Sequence, residues 1–409
     1  MPEKEYDVVI VGAGPAGSST ALFLKKNGVK KILLIDKAKF PRDKICGDAI
    51  SDKSIRIAKE LGVLSGYVKE RRRDVFGIIF TSPNGTAAEL DFGEADASWG
   101  FGPGFVMRRH DSDNVLFGCA KREVETLEEF TITGLLTEEG GVRGIKGRAK
   151  DGTEREIRAK IVVGADGTSS TIAQQVGQGT IPPQHQAIAT RAYYEGVEGL
   201  TNNIEIHFVP EAIPGYFWVF PLPNGAANVG VGMLTSEKQK RKTDLKALHK
   251  KIIENNPLFR DRFVNAKIDP QGIKVWTLPL ASYRRKNHGS GWILIGDAAA
   301  LINPFSGEGI GNAMLSGKIA AKHISNALKA GDYSEQSLAP YDVELQGEMQ
   351  SGIKLAKKLQ KLQRYPLLVD FFMAKLAAKP QLRKAVCGAL SNSSGKAISK
   401  IELLKLLFT

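Results

Sequence analysis

A glycine-rich turn near the start of the chain constrains its fold more than any other feature. The apolar segment Tyr6–Val11 is typical of a buried strand, and it leads directly into residues 12–17, whose sequence GAGPAG fits the pattern GxGxxG. The residues that follow are typical of a helix, and a second apolar segment, residues 31–35, completes the unit within about 30 residues. We therefore predict a strand–helix–strand unit and an α/β fold.

The chemistry of this turn suits a dinucleotide. Gly12 permits the tight turn, Gly14 lets the backbone approach a pyrophosphate, and Gly17 allows the helix to pack closely on the strand. The pyrophosphate would lie at the positive end of the helix dipole. Asp36 ends the second strand, where a carboxylate accepts hydrogen bonds from ribose hydroxyls and repels a 2′-phosphate. The pattern therefore predicts a dinucleotide site and disfavours NADP there.

Two later segments decide between NAD and FAD. Residues 163–167, VGADG, end one apolar strand, and residues 295–299, IGDAA, end another and lead into the glycine-rich residues 303–313. The carboxylate of Asp297 can bind sugar or ribitol hydroxyls. The glycine-rich turn before a helix presents backbone N–H groups and a positive dipole end, which suit the negative charge of a reduced flavin. Because an NAD enzyme needs neither segment, we predict FAD.

Composition excludes several other classes of protein. The 409 residues are enough for two or three domains, and no apolar run reaches the roughly 18 residues of a membrane-spanning helix. Cys46, Cys119 and Cys387 cannot form a disulfide framework, and no cysteine–histidine cluster has the spacing of a zinc site. The first residues lack the pattern of a signal peptide. We therefore expect a cytoplasmic protein without a metal.

The positive charge is concentrated at one end of the chain. The net charge is +13, and residues 351–409 hold twelve Lys and Arg against Asp370 and Glu402, so this segment carries +10. Leu355, Leu359 and Leu362 follow helical spacing beside lysines. This pattern predicts a peripheral contact with the inner face of a membrane and no nucleic-acid partner, and a solvated helix packed on the body is the alternative.

The order of the segments predicts a discontinuous domain. We assign residues 1–75, 106–180 and 286–335 to a Rossmann-like dinucleotide-binding domain, because the strand–turn elements fall there. Residues 76–105 and 181–285, which are rich in predicted strands, form an inserted substrate domain with an antiparallel sheet. Residues 336–409 form a basic helical extension. Among single elements, we predict helices at Arg109–Glu123 and at 236–255, and a short strand at 160–164.

These motifs also carry a family resemblance. GAGPAG, VGADG and IGDAAALINPFSGEGI, in this order between residues 12 and 310, resemble the FAD-dependent oxidoreductases of the para-hydroxybenzoate-hydroxylase fold. Within that fold, FPRDKICGD at 40–48 and PGYFWVFP at 214–221 look like the geranylgeranyl reductase family. The family pattern has two residues between its proline and tyrosine, whereas Pro214 and Tyr216 are separated by one.

The resemblance implies a set of functional residues. The residues implied to bind FAD are Gly12, Gly14, Ala16, Gly17, Asp36, Lys37, Cys46, Gly47, Ala49, Arg109, Asp166, Gly167, Asp297, Gly307, Gly309 and Ile310. Arg108 is the alternative to Arg109, because Ser112 replaces the phenylalanine of that motif. Tyr216, Trp218 and Phe220 alternate on one strand face and, with Pro304, would line a pocket for an isoprenoid chain; sheet core is the alternative.

The activity implied is hydride transfer from reduced FAD to C=C bonds of a prenyl chain in a lipid or diphosphate. Cys46 is the candidate catalytic residue, a proton donor beside the flavin, and the alternative is a small side chain that packs against the ring. The electron donor is either NAD(P)H or a reduced protein carrier. Two other functions stay open at this point: an FAD-dependent monooxygenase that hydroxylates an aromatic compound, and a membrane-surface flavoprotein that carries electrons.

Overall fold

The computed structural model describes residues 5–93, 102–138 and 140–391, and the side chains as far as residue 387. Residues 94–101 of the predicted substrate domain lie outside the described residues. The same is true of Lys396, Lys400 and Lys405, which belong to the basic end of the chain.

The strands are β1 Tyr6–Val11, β2 Ile32–Ile35, β3 Ala49–Ile50, β4 Arg73–Val75, β5 Gly77–Thr81, β6 Ala87–Asp91, β7 Gly104–Val106, β8 Glu125–Leu127, β9 Phe130–Glu138, β10 Gly141–Ala149, β11 Glu154–Gly164, β12 Gln186–Glu195, β13 Asn203–His207, β14 Gly215–Pro221, β15 Ala226–Leu234, β16 Lys267–Ile268, β17 Lys274–Pro279, β18 His288–Gly289 and β19 Trp292–Leu294. The helices are α1 Pro15–Lys26, α2 Asp52–Glu60, α3 Leu64–Lys69, α4 Arg109–Glu123, α5 Thr171–Gln175, α6 Thr235–Arg241, α7 Leu245–Asn255, α8 Ile310–Ala330, α9 Glu335–Leu338, α10 Pro340–Leu362, α11 Pro366–Ala378 and α12 Pro380–Ser391.

The predicted strand–helix–strand unit forms the centre of a parallel sheet. The sheet has the order β18-β19-β11-β1-β2-β8, and β19, β11, β1, β2 and β8 run parallel. Gly12, Ala165 and Asp36 therefore follow neighbouring strands at one edge, which is where α/β sheets bind ligands. The predicted helix Arg109–Glu123 is confirmed as α4. The predicted strand 160–164 is too short, because residues 154–158 extend β11 by pairing with β10.

A second sheet carries the aromatic strand. Its order is β16-β12-β15-β14-β13-β5-β6, with β17 also paired to β12. Neighbouring strands are antiparallel except β5 and β13, which are parallel because β5 comes from the separate segment before α4 and not from a hairpin with β13. Helix α7 covers one face of this sheet, and α11 and α12 cover the other.

The helix predicted at 236–255 is wrong as a single element. It divides into α6 and α7, because Lys242 adopts a left-handed conformation with φ 52° that ends the first helix. Asp244 then caps the second helix by accepting hydrogen bonds from the N–H groups of Lys246 and Ala247.

Helices α1 and α8 pack against each other through small residues. A Cβ atom on Gly317 would lie 2.5 Å from Thr20 Oγ1 and 2.9 Å from the carbonyl oxygen of Ala16. This close approach brings the N-terminal ends of both helices, at Gly14 and Gly309, to the same cavity. Two positive helix ends therefore face one binding site.

Candidate active site

A cavity of about 1210 Å³ joins the carboxyl edge of the parallel sheet to the inner face of the second sheet. Every residue predicted to bind the cofactor lines it, with the exception of Gly17. Tyr216, Trp218, Phe220 and Pro304 line it as well. Side chains from three separate parts of the chain therefore meet in one space.

The three glycines of the turn have different tasks. A Cβ on Gly12, where φ is +103°, would lie 2.3 Å from the carbonyl oxygen of Ala165. A Cβ on Gly17 would lie 1.8 Å from the carbonyl oxygen of Gly12, so Gly17 lets the helix pack closely against the turn. Gly17 does not line the cavity, although the resemblance implied that it binds FAD. At Gly14 the nearest protein atom would be Arg42 Nη2 at 3.5 Å, so this side of the turn is open for a ligand.

Two carboxylates lie at the ends of the predicted cofactor path. Asp36 accepts hydrogen bonds from the N–H groups of Ala13 at 2.8 Å and Ala38 at 2.9 Å, and each oxygen keeps a lone pair for a ribose hydroxyl. Asp297 Oδ1 lies 3.7 Å from the Cβ position of Gly309, at the start of α8. The site thus offers an acceptor at each end and helix N-terminal N–H groups between them.

Asp166 has a more structural position than predicted. Its carboxylate accepts hydrogen bonds from Ser170 Oγ at 2.5 Å and from the N–H of Ile172 at 3.2 Å, which hold the start of α5. Burial raises its pKa, and these hydrogen bonds oppose the shift. The adjoining Gly167, with φ of +79°, leaves its backbone exposed to the cavity.

A buried ion-pair cluster places Arg109 beside the predicted flavin side of the cavity. Arg109 donates to Asp113 through Nε at 2.6 Å and Nη2 at 2.7 Å, and Arg42 donates to the same carboxylate at 2.7 Å. Burial opposes ionisation of Asp113, but the two guanidinium groups outweigh it and lower its pKa. Arg109 also interacts with the Cys46 side chain. Arg108 instead stacks its guanidinium over Tyr193 at 4.2 Å, so the geometry favours Arg109.

Lys44 is a cavity residue that was not among the predicted site residues. Its ammonium group lies 4.4 Å from the ring centre of Trp276. Burial lowers its pKa, and the nearby carboxylate of Asp297 opposes that shift. The motif at residues 40–48 contained the signal, because a lysine two residues before Cys46 in a tight loop must share its surroundings.

The aromatic strip on β14, which consists of Tyr216, Trp218 and Phe220, faces the Cys46–Gly47 backbone. Phe220 Cε2 lies 3.0 Å from the Cβ position of Gly47, and Trp218 Nε1 donates to Asn228 Oδ1 at 3.0 Å. Tyr216 donates to the carbonyl oxygen of Ser306 at 3.0 Å, and burial raises its pKa to about 12. At neutral pH the tyrosine is therefore a neutral group, and this wall of the cavity is uncharged.

Beyond the strip, the cavity walls are mostly apolar. The apolar lining residues of this part are Ile78, Phe80, Ile204, Ile206, Phe208, Leu278, Leu280, Ile302, Leu355 and Leu359. Leu355 and Leu359 belong to α10, whose Gln360 donates to the carbonyl oxygen of Pro304 at 2.7 Å. Two of the three leucines predicted to contact a membrane, Leu355 and Leu359, therefore line the cavity. The sequence could not indicate this because periodicity does not identify the partner of an apolar face.

Comparison with known proteins agrees with this geometry. Residues 5–347 match the model of a family described as FAD binding domain. The chain is similar to digeranylgeranylglycerophospholipid reductase of Methanocella arvoryzae, with 32% identity over 88% of each chain. It is also similar to menaquinone reductase of Mycobacterium tuberculosis, with 32% identity over 79% of this chain and 78% of the relative.

Solved structures show the same fold. A geranylgeranyl bacteriochlorophyll reductase-like protein of Thermoplasma acidophilum has a TM-score of 0.83 and 24% identity, covering 99% of this chain and all of the other. A flavin-dependent brominase has a TM-score of 0.81 and 23% identity, covering 98% of this chain and 97% of the other. At these identities the likeness concerns the fold alone.

The protein is therefore an FAD-dependent oxidoreductase. The open face of Gly14, the acceptor at Asp36 and the N-terminal end of α8 fit that cofactor, because they offer N–H groups to a pyrophosphate and acceptors to ribose and ribitol hydroxyls. Within this class, the chain belongs to the geranylgeranyl reductase family, as the motifs at 40–48 and 214–221 predicted.

Proposed function

We propose that the protein saturates C=C bonds in the prenyl chain of a lipid. The observation that carries the proposal is the apolar part of the cavity, which continues from the aromatic strip on β14 and leads back to the Cys46–Gly47 backbone. A chain of isoprene units needs such a long apolar space, since it has no polar groups to satisfy. The names of the relatives from Methanocella and Mycobacterium suggest two substrate classes, a digeranylgeranylglycerophospholipid and a menaquinone.

Different groups supply the hydride and the proton and position the substrate. Reduced FAD supplies a hydride when bound, and each double bond also needs one proton. Cys46 is half-buried in the cavity wall, and we propose its thiol as the proton donor. Trp218 and Phe220 hold the chain beside this loop, and the surrounding apolar walls limit the access of solvent to the reacting double bond. The two electrons come from NAD(P)H or from a reduced protein carrier.

Anaerobic reoxidation tests this function. The enzyme, reduced with dithionite, is mixed with a digeranylgeranylglycerophospholipid, a prenyl diphosphate and a menaquinone in separate reactions. We expect flavin absorbance to return with at least one of them, together with a product whose prenyl chain has gained two hydrogens per flavin turnover. Each product is reoxidised in air before its mass is measured, because reduction of the menaquinone ring to a quinol also adds two hydrogens. If no saturated product forms while an aromatic compound is hydroxylated in air, the function is that of a monooxygenase. Reoxidation by acceptor proteins alone would indicate an electron carrier.

We also propose that the corner between α10 and α11 contacts an anionic membrane. Leu367, Leu368 and Phe371 are 81%, 50% and 45% exposed, whereas the other side of α11 packs on the second sheet through Val369 and Met373. Lys354, Lys358 and Lys361 lie on α10 at spacings that share one helix face, and all three are exposed. None of the helices that the structure describes has the length and apolarity to cross a membrane.

This contact would bring the cavity close to its lipid. The same helix α10 that carries the three lysines also supplies Leu355 and Leu359 to the cavity wall. Each Lys or Arg near an anionic surface contributes about 1 kcal/mol at moderate ionic strength, and exposed leucine and phenylalanine side chains add apolar burial. A reversible attachment through this corner follows from these two contributions.

Vesicle co-sedimentation tests the membrane contact. Reversing Lys354, Lys358 and Lys361 to Glu should weaken binding to vesicles with anionic lipid by at least tenfold, and high salt should weaken the unmodified protein similarly. A matched control reverses Lys246, Lys250 and Lys251 on α7, which covers the opposite face of the second sheet. An equal loss of vesicle binding in both triple variants, or binding that does not change with salt concentration, would contradict a specific contact at this corner.

A further inference from the structure

A buried carboxylate lies directly behind the Cys46–Gly47 backbone. Asp48 is fully buried and adopts a left-handed conformation with φ of 66°. Its Oδ2 accepts hydrogen bonds from Tyr193 Oη at 2.7 Å and from Asn228 Nδ2 at 2.8 Å. Its Oδ1 has no hydrogen-bond partner among the described residues. An uncompensated buried oxygen is costly, so the position calls for a functional explanation.

Asn228 connects this carboxylate to the active-site loop. Its Nδ2 group donates both to Asp48 and, at 2.7 Å, to the carbonyl oxygen of Cys46, while its Oδ1 accepts from Trp218 Nε1. One amide side chain therefore ties together the proposed proton donor, the aromatic strip and the buried acid. The backbone of Asp48 is held separately, since its carbonyl oxygen accepts from the N–H of Met107.

We propose that Asp48 is a positioning residue, which acts through Asn228 to hold the backbone of Cys46 and Gly47 in place and releases that hold when it becomes protonated. The inference rests on the proposed function in one respect, that this segment lies against the flavin. A charged acceptor makes hydrogen bonds roughly twice as strong as a neutral one, so ionised Asp48 fixes Asn228 more firmly.

The surroundings of Asp48 place its change of protonation state near pH 6. Burial raises its pKa to about 6, and hydrogen bonds from Tyr193 and Asn228 and the charges of Arg191 and Arg109 oppose the shift. Tyr193 is itself neutral because burial raises its pKa. Above about pH 6 the carboxylate is charged and the loop is held, and below that pH the acid is neutral and the hold weakens.

A pH titration of the flavin absorbance in the oxidised holoenzyme tests the proposal. The unmodified protein should show an inflection near pH 6. Asp48→Asn, which keeps the shape and an acceptor oxygen but cannot titrate, should lose it. Tyr193→Phe removes a donor to the charged form, so the inflection should move up by about one to two pH units. Tyr194→Phe is the matched control, because it removes a buried hydroxyl of β12 that contacts His249 instead.

The titration tests the Asp48 inference independently of the proposed reaction. The spectrum reports the position of the loop even if no prenyl substrate is reduced, so loss of the proposed function leaves the Asp48 inference testable. An inflection that persists in Asp48→Asn, or that moves equally in Tyr193→Phe and Tyr194→Phe, would overturn it. An active enzyme whose substrate-dependent rate follows the same inflection, and loses it in Asp48→Asn, would extend the inference to catalysis.

Discussion

Gly14→Val should strongly weaken FAD binding while leaving the apoprotein folded. Gly14 has φ −68° and ψ −171°, an extended conformation that valine adopts readily, and its added Cβ would meet only the flexible end of Arg42 at 3.5 Å. On the cavity side, the branched side chain would stand where the first turn of α1 presents its N–H groups. We expect FAD affinity to fall by at least about 100-fold, near 3 kcal/mol.

Gly17→Val is the control that separates binding from folding. Its Cβ would lie 1.8 Å from the backbone oxygen of Gly12, and backbone cannot move aside as a side chain can. This variant should lose both FAD and thermal stability, whereas Gly14→Val should unfold within a few degrees of the unmodified apoprotein. Fluorescence titration with FAD and thermal unfolding of the apoproteins measure the two effects. Tight FAD binding by Gly14→Val would contradict the assignment of this turn to the pyrophosphate.

Cys46→Ala should slow the substrate-dependent reoxidation of the reduced enzyme by about 100-fold, the lower end of what a general acid contributes. The flavin content should change little, because alanine keeps the backbone at this position and the predicted cofactor contacts at Gly14, Asp36 and α8 are retained. Anaerobic stopped-flow absorbance measures the rate, and visible absorbance after purification measures the flavin content.

Cys119→Ala provides the comparison for this variant. Cys119 is a half-buried thiol on α4 whose sulfur contacts Arg122 at 3.2 Å, and it is not a lining residue of the cavity. The rate in Cys119→Ala should equal that of the unmodified protein. An unchanged rate in Cys46→Ala as well would mean that Cys46 only packs against the ring and that water or another acid supplies the proton.

Local sequence patterns determined much of the fold and the composition of the site. The turn at Gly12, the helix Arg109–Glu123 and the alternation of Tyr216, Trp218 and Phe220 could all be predicted, because glycine conformation and side-chain periodicity act over a few residues. The motifs also indicated FAD, since each of them presents backbone N–H groups or a carboxylate at the end of a strand.

Only the tertiary structure decided how these pieces meet. Asp48 and Asn228 are 180 residues apart in the chain, and nothing near either residue indicates the hydrogen bond between them. Leu355 and Leu359 line the cavity, although their spacing was equally compatible with a membrane face. The physical reason is common to both: a sequence pattern specifies which face of an element is apolar or polar, whereas the partner of that face depends on how distant elements pack.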